Sequence, residues 1–315
     1  MKLQLTAAAT FASLFMTGCL YGENKQFFEQ QYSITTTPPL AGTGGEIPVP
    51  TPINTPVPTA TPITAIDPTP TPPAVCDPFG TGQNAQATNG IKASMYYYND
   101  EDVGVFPANE VSDLYTHGHK ANADFFFNNL NVPTRAFDQG FQLENGSLLA
   151  KSDGTKLFEW FAFKFKTNIR LPKNTGPKMK QFALLTDDGS NMLVQDPITH
   201  EWSTQVANDG QHASNFGCGT APVEVSSQFS LPIEIQYYQG PRYHIALMLL
   251  WRDWESNTSF KSEDRWCGQS GNSMYFDSSV IPSAPTSAWL DLASRWEVVP
   301  SDVFFVDEGT VNPCH

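Results

Sequence analysis

The sequence predicts an all-β domain, an antiparallel β-sandwich, and three patterns carry that prediction. Apolar and polar residues alternate over 160–166 and again over 232–238, the mark of strands with one buried face. Short β-prone runs are separated by turns rich in Gly, Pro and Asp, as in sheets folded onto one another. Helical periodicity is scarce, confined to a turn or two at 109–115 and 287–294. The elements then follow in order. Residues 91–98 are aromatic and β-prone and open the sheet. Phe161, Phe163 and Phe165 share one face of the next strand. Residues 181–185 form a short strand stopped by Thr186-Asp187-Asp188-Gly189-Ser190, and 192–194 resume after that turn. The alternating run 232–238 ends at Gly240-Pro241. The apolar run 243–251 suits a strand in a sandwich core, and 298–299 with 303–306 supply the last strands.

Composition narrows the function classes. The 315 residues hold 18 Lys and Arg against 32 Asp and Glu, a net charge of -14. That excludes a basic stripe for phosphates, so no nucleic-acid partner is expected. Acidity is compatible with calcium or neutral sugars. Five cysteines are present, at positions 19, 76, 218, 267 and 314. If Cys19 is used otherwise, four remain, which in an exported chain read as two disulfides with three connectivities open. Domain ends tend to lie close together, which favours Cys76 with Cys314 and leaves Cys218 with Cys267. No two cysteines have zinc-ligand spacing.

The chain divides into residues 1–18, 19–75 and 76–315. Residues 3–16 form an apolar stretch too short for a permanent membrane span but suited to a signal-peptide core. Leu14-Phe15-Met16-Thr17-Gly18 followed by Cys19 resembles the lipobox of bacterial lipoproteins; an ordinary secretory signal with a chance Cys is the alternative. The resemblance implies cleavage before Cys19, acylation of that residue, and attachment to a lipid bilayer. Leu20 in place of Asp favours the outer membrane or cell surface. Pro and Thr alternate densely from 38 to 73, which forbids sheet and helix and favours polyproline II or a disordered linker. Extended, the stretch reaches roughly 110 Å and lifts the domain off the membrane.

Three strings in the domain line up with a known family. Phe182-Ala183-Leu184-Leu185-Thr186-Asp187-Asp188-Gly189-Ser190, then Asn208-Asp209-Gly210-Gln211-His212, then 231–238 with Trp251, resemble the protective-antigen (PA-14) domain. Gly90 with 91–93 and Tyr96 suits its opening strand, and 296–300 its closing one; the resemblance covers about residues 90–306. It implies a β-sandwich that binds glycans in adhesins, toxins and glycosidases. In the yeast flocculin and epithelial-adhesin branch, two successive Asp joined by a cis peptide hold a calcium ion that bridges sugar hydroxyls. Asp187 and Asp188 match that pair. The branch's Asn at the end of the later strand is Gln239 here, a longer amide and a departure from the pattern. Other members keep Asp-Asp-Gly as a structural turn whose carboxylates bond backbone amides.

Further candidates have bland counterparts. Trp254 and Trp266, in a segment longer than the family's usual connection, are sugar-stacking candidates, while Trp266 beside Cys267 also suits packing on a disulfide. His117 and His119 lack a third metal partner, and His212 reads as a hydrogen-bonding strut. Glu224, Glu255 and Glu263 could form a glycosidase pair, but no sequence spacing identifies one, and no Gly-x-Ser-x-Gly elbow occurs. Asn145 and Asn257 fit the N-glycosylation pattern, which means little in a bacterial host. The expectation is a non-enzymatic, surface-anchored lipoprotein that binds carbohydrate, assisted by calcium. The alternative is an envelope component using the sandwich for protein contacts.

Overall fold

The computed structural model describes residues 72–79, 86–137, 141–142, 148–149, 157–254 and 264–315. The expected signal peptide (1–18), Cys19, the Pro/Thr stretch, Asn145, Asn257, Glu255 and Glu263 lie outside the described residues. Two sheets pack face to face. The first runs, edge to edge, Ala74–Cys76, Asp124–Phe127, Ile91–Tyr97, Phe161–Ile169, Leu231–Gln239, Ser190–Gln195 and Trp202–Asn208. The second runs Asn215–Cys218, Lys178–Asp187, His244–Asp253 and Glu297–Val298, with Val223–Val225 also on Lys178–Asp187 and Asn131–Ala136 on His244–Asp253. In these two sheets every pairing is antiparallel except that of Ala74–Cys76 with Asp124–Phe127. No helix among the described residues is long and apolar enough to cross a membrane.

The expected alternation is realised in the first sheet. Ile91, Ala93, Met95 and Tyr97 face inward, as do Leu231, Ile233, Ile235 and Tyr237. Phe163 sits at the aromatic centre, with the rings of Phe79, Phe125, Phe127, Phe161 and Phe165 at 5.2–5.7 Å. The central strands of the second sheet do not alternate, because both of their faces are covered. Residues 264–296 lie over the outer face, where Ala183, Leu185, Met248 and Leu250 pack against Tyr275, Phe276, Leu292 and Trp296. That explains the unbroken apolar run 243–251.

Disulfides join Cys76 to Cys314 and Cys218 to Cys267, each with Cα atoms 5.4 Å apart. The second ties the covering segment to the edge strand beneath it. Within that segment, Thr286 caps the helix Ser287–Ala293: Oγ1 accepts from the Trp289 N–H at 3.3 Å and donates to the Met274 carbonyl at 2.6 Å. Thr286→Ala is expected to cost about 1–2 kcal/mol. A lower urea midpoint at unchanged slope would register it.

Several strands escape the sequence patterns. Asn131–Ala136 contains Pro133, Asn215–Cys218 contains Gly217, and Trp202–Asn208 is exposed over its first three residues, Trp202 included. One expectation changes in kind. Residues 181–194 read as strand, turn, strand, but Lys178–Asp187 belongs to the second sheet and Ser190–Gln195 to the first. The Asp-Asp-Gly turn is a crossing between layers.

Candidate functional site

Three such crossings meet at one end of the sandwich. The chain passes from Lys178–Asp187 to Ser190–Gln195 through Asp188 and Gly189. It passes from Trp202–Asn208 to Asn215–Cys218 through residues 209–214, and from Leu231–Gln239 to His244–Asp253 through residues 240–243. The Asp188 carboxylate joins all three: Oδ1 accepts from the His212 main-chain N–H at 3.1 Å, and Oδ2 from the Gly240 N–H at 2.8 Å. The peptide between Asp187 and Asp188 is cis. Close approach dictates glycine at two places. A Cβ on Gly189 would come within 2.5 Å of the Tyr238 ring, and one on Gly240 within 2.9 Å of Asp188 Oδ2.

Polar side chains complete the corner. Asp187 Oδ2 accepts from Ser214 Oγ at 3.2 Å, and Ser214 Oγ lies 2.9 Å from Thr134 Oγ1. The single hydroxyl proton of Tyr237 is shared between the Asp187 carbonyl at 2.8 Å and Gln239 Oε1 at 2.9 Å. Asn208 Nδ2 donates to Thr186 Oγ1, itself 2.8 Å from Ser190 Oγ. Asp209 binds the Val111 N–H, its neighbour Gly210 N–H and Asn191 Nδ2, so the helix Val111–His117 starts from the same corner.

Both carboxylates are 5% exposed, and no Lys or Arg pairs with either among the described residues. Burial, then the neighbouring Asp188 charge, pushes Asp187 up to about 8 against the opposing hydrogen bonds from Ser214. Burial pushes Asp188 up to about 6, while the N–H groups of Gly240 and His212 and the His212 ring hold it down. The charge the pair carries therefore meets no Lys or Arg among the described residues.

The structure brings together only part of the expected set. Gln239, expected as a metal ligand, is fully buried and its amide is bonded: Oε1 faces Tyr237, and Nε2 donates to the His244 carbonyl at 2.9 Å. The main-chain N–H of Gly240 meets Asp188. Trp254 cannot share this site. It follows the far end of His244–Asp253, whose Ala246 pairs with Asp187, so it lies roughly 27 Å away along the strand. Trp266 is a packing residue: its Nε1 donates to Asp291 at 2.7 Å, its ring meets Tyr275 edge-on at 6.0 Å, and it joins the cluster around the Cys218–Cys267 bridge. His212 bridges the carbonyls of Asn208 and Ala213 through its ring. His119 pairs with Asp102 and His117 stacks on Phe106. No group of three His, Cys, Asp or Glu able to hold a metal occurs among the described residues. Ser214, Tyr237 and the Gly240 N–H were not foreseen from sequence. Only the Asn-Asp-Gly-x-His string hinted that a second crossing would join the first.

No known family profile matches the chain, and no curated protein matches it. Among solved structures it is similar to a PA14 sugar-binding domain from an RTX adhesin: 20% identity, 56% of this chain and 94% of that one, TM-score 0.38. An anti-sigma factor domain-containing protein is 11% identical over 72% of this chain and 51% of its own, TM-score 0.38. The A domain of epithelial adhesin 6 from Candida glabrata, solved with Galb1-3GlcNAc, is 15% identical over 64% of this chain and 98% of its own, TM-score 0.36.

Proposed function

We propose that this protein is a non-catalytic, surface-anchored lipoprotein whose sandwich binds carbohydrate at the Asp187–Asp188 corner with the help of calcium. The carrying observation is electrostatic: two adjacent, nearly buried carboxylates have no Lys or Arg partner among the described residues, and the His212 ring is the one basic group acting on them there. Calcium is an oxygen-seeking hard cation and would supply that charge while offering coordination sites to sugar hydroxyls. Asp187 and Asp188 are the residues that would hold it. Each Asp188 oxygen takes one main-chain N–H, and a carboxylate oxygen has two lone pairs, so acceptor capacity remains. Among the described residues Gln239 Oε1 accepts only from the Tyr237 hydroxyl, so the amide oxygen keeps a lone pair and remains a candidate ligand beside them. Main-chain oxygens, water and the sugar would complete the shell. The acylated Cys19 holds the molecule on the outer membrane, and the Pro/Thr stretch spaces the domain from it.

Binding of the full-length protein to a glycan array, with calcium and then with a chelator, tests this reading. Sugar binding should vanish with chelation and in Asp187→Asn. Binding indifferent to both would remove calcium and the corner from the mechanism. The two main-chain N–H bonds on Asp188 favour a second reading, in which the pair staples the crossings and the sandwich contacts envelope proteins. Under it, no array spot responds, and the protein co-purifies with envelope partners.

A further inference from the structure

At the end of the sandwich opposite the corner, the two sheets part at their shared edge and leave a cleft of 590 Å³. Ser190–Gln195 leads there from the corner, a distance of roughly 17 Å. Val194, Val223 and Leu231, all members of the main core, form the floor together with Phe229. The edge strands beside it, Trp202–Asn208 and Val223–Val225, have no strand partner on their outer sides among the described residues. Exposed edges are ordinarily guarded by Lys, Pro or other charge. Trp202–Asn208 carries none of these; its single irregularity is a bulge opposite Met192 and Leu193. Its first three residues are exposed.

The cleft also has a sign. Its charged lining residues are Asp196 and Glu224, with no Lys, Arg or His. The Asp196 carboxylate accepts the N–H groups of Ile198 and Thr199 at 2.7 Å and is part of its own turn. Glu224 is exposed on Val223–Val225, and its carboxylate has no hydrogen-bond or ion-pair partner among the described residues.

We infer that this edge receives an extended peptide segment of a partner protein, apolar at alternate positions and carrying a Lys or Arg opposite Glu224. Main-chain hydrogen bonds to the open strand give such a segment its grip. Alternate side chains enter the apolar floor, and the carboxylate selects the basic residue. The site stands apart from the corner and does not depend on carbohydrate binding there. In the first sheet it lies on the edge farthest from Ala74–Cys76, the first strand of the described residues.

A fluorescein-labelled heptapeptide alternating valine and threonine around a central lysine, titrated into the full chain and read by anisotropy, tests the inference. Saturable binding is expected, weakened about tenfold in Glu224→Lys. A glutamate-centred peptide should show the reverse preference for that variant. Glu224 is exposed, so the variant should fold as the parent does. Amide hydrogen exchange at residues 203–205 should slow when the peptide binds. Absence of saturable binding, indifference to the charge swap, or displacement of the peptide by maltohexaose would overturn the inference.

Discussion

Asp264→Ala is expected to lower the unfolding free energy by about 3–5 kcal/mol, the range for breaking a buried charge network by removing one partner. The Asp264 side chain is fully buried. Its Oδ2 takes Arg295 Nη1 at 2.5 Å, Arg252 Nη1 at 3.1 Å and Trp296 Nε1 at 3.1 Å, and its Oδ1 takes the Trp266 N–H at 3.1 Å. Arg252 also lies over the Trp296 ring at 4.4 Å. Without the carboxylate, two guanidinium groups and an indole N–H lose their common acceptor beneath the covering segment. The melting temperature should fall by about 6–20 °C, given 2–4 °C per kcal/mol in a domain of this size. The damage should reach the corner as well, since Ser270 Oγ and the Gly271 N–H bind the carbonyls of Ala213 and Ser214. A loss below about 1 kcal/mol by calorimetry would show that the covering segment is held by its apolar contacts alone.

The second large effect is a pH dependence reversed by calcium. The folded protein keeps a proton on Asp187 up to about pH 8 and on Asp188 up to about pH 6. In the unfolded chain both groups lose theirs near pH 4. Between those limits the folded state binds more protons, so stability contributed by this pair is greatest below about pH 4 and declines as pH rises towards 8. Thermal unfolding in chelator should therefore show a falling melting temperature from pH 5 to pH 8. Calcium competes with those protons, so it should stabilise most at pH 8 and little at pH 5. Asp187→Asn should flatten the chelator profile and abolish the calcium response. A flat profile in the parent protein would mean that the pair is solvated. A sloping profile untouched by calcium would leave the corner as a staple without a metal.

Much of the fold was legible because one sheet follows a simple rule. The faces of Ile91–Tyr97, Phe161–Ile169 and Leu231–Gln239 alternate between core and surface, and the alternation is written in the residues. The second sheet was legible only as apolar runs. Its outer cover comes from residues 264–296, whose short strands and single helix of seven residues carry no long period. The Asp-Asp pair was legible as chemistry but not as architecture. Sequence places Asp187 and Asp188 on a turn, yet nothing local says that the turn changes sheets or that His212 and Gly240 arrive at the same carboxylate. Nor could the chain distinguish an outward Gln239 from a buried one whose amide bonds Tyr237 and His244. Trp254 was misplaced for a related reason, while Trp266 follows the packing alternative rather than the sugar-stacking one. Aromatic type suggests a role, but distance along a strand and the partner of an indole N–H decide it.

The edge strand Ala74–Cys76 lies parallel to Asp124–Phe127 and ends in the bridge to Cys314. A tug arriving from the preceding residues therefore loads its three paired residues in shear, all at once, instead of peeling them open in turn. Behind that short ladder stands a covalent stop. Under the proposed tethering, a pull through residue 74 would meet the Cys76–Cys314 bridge before it reached the rest of the sheet.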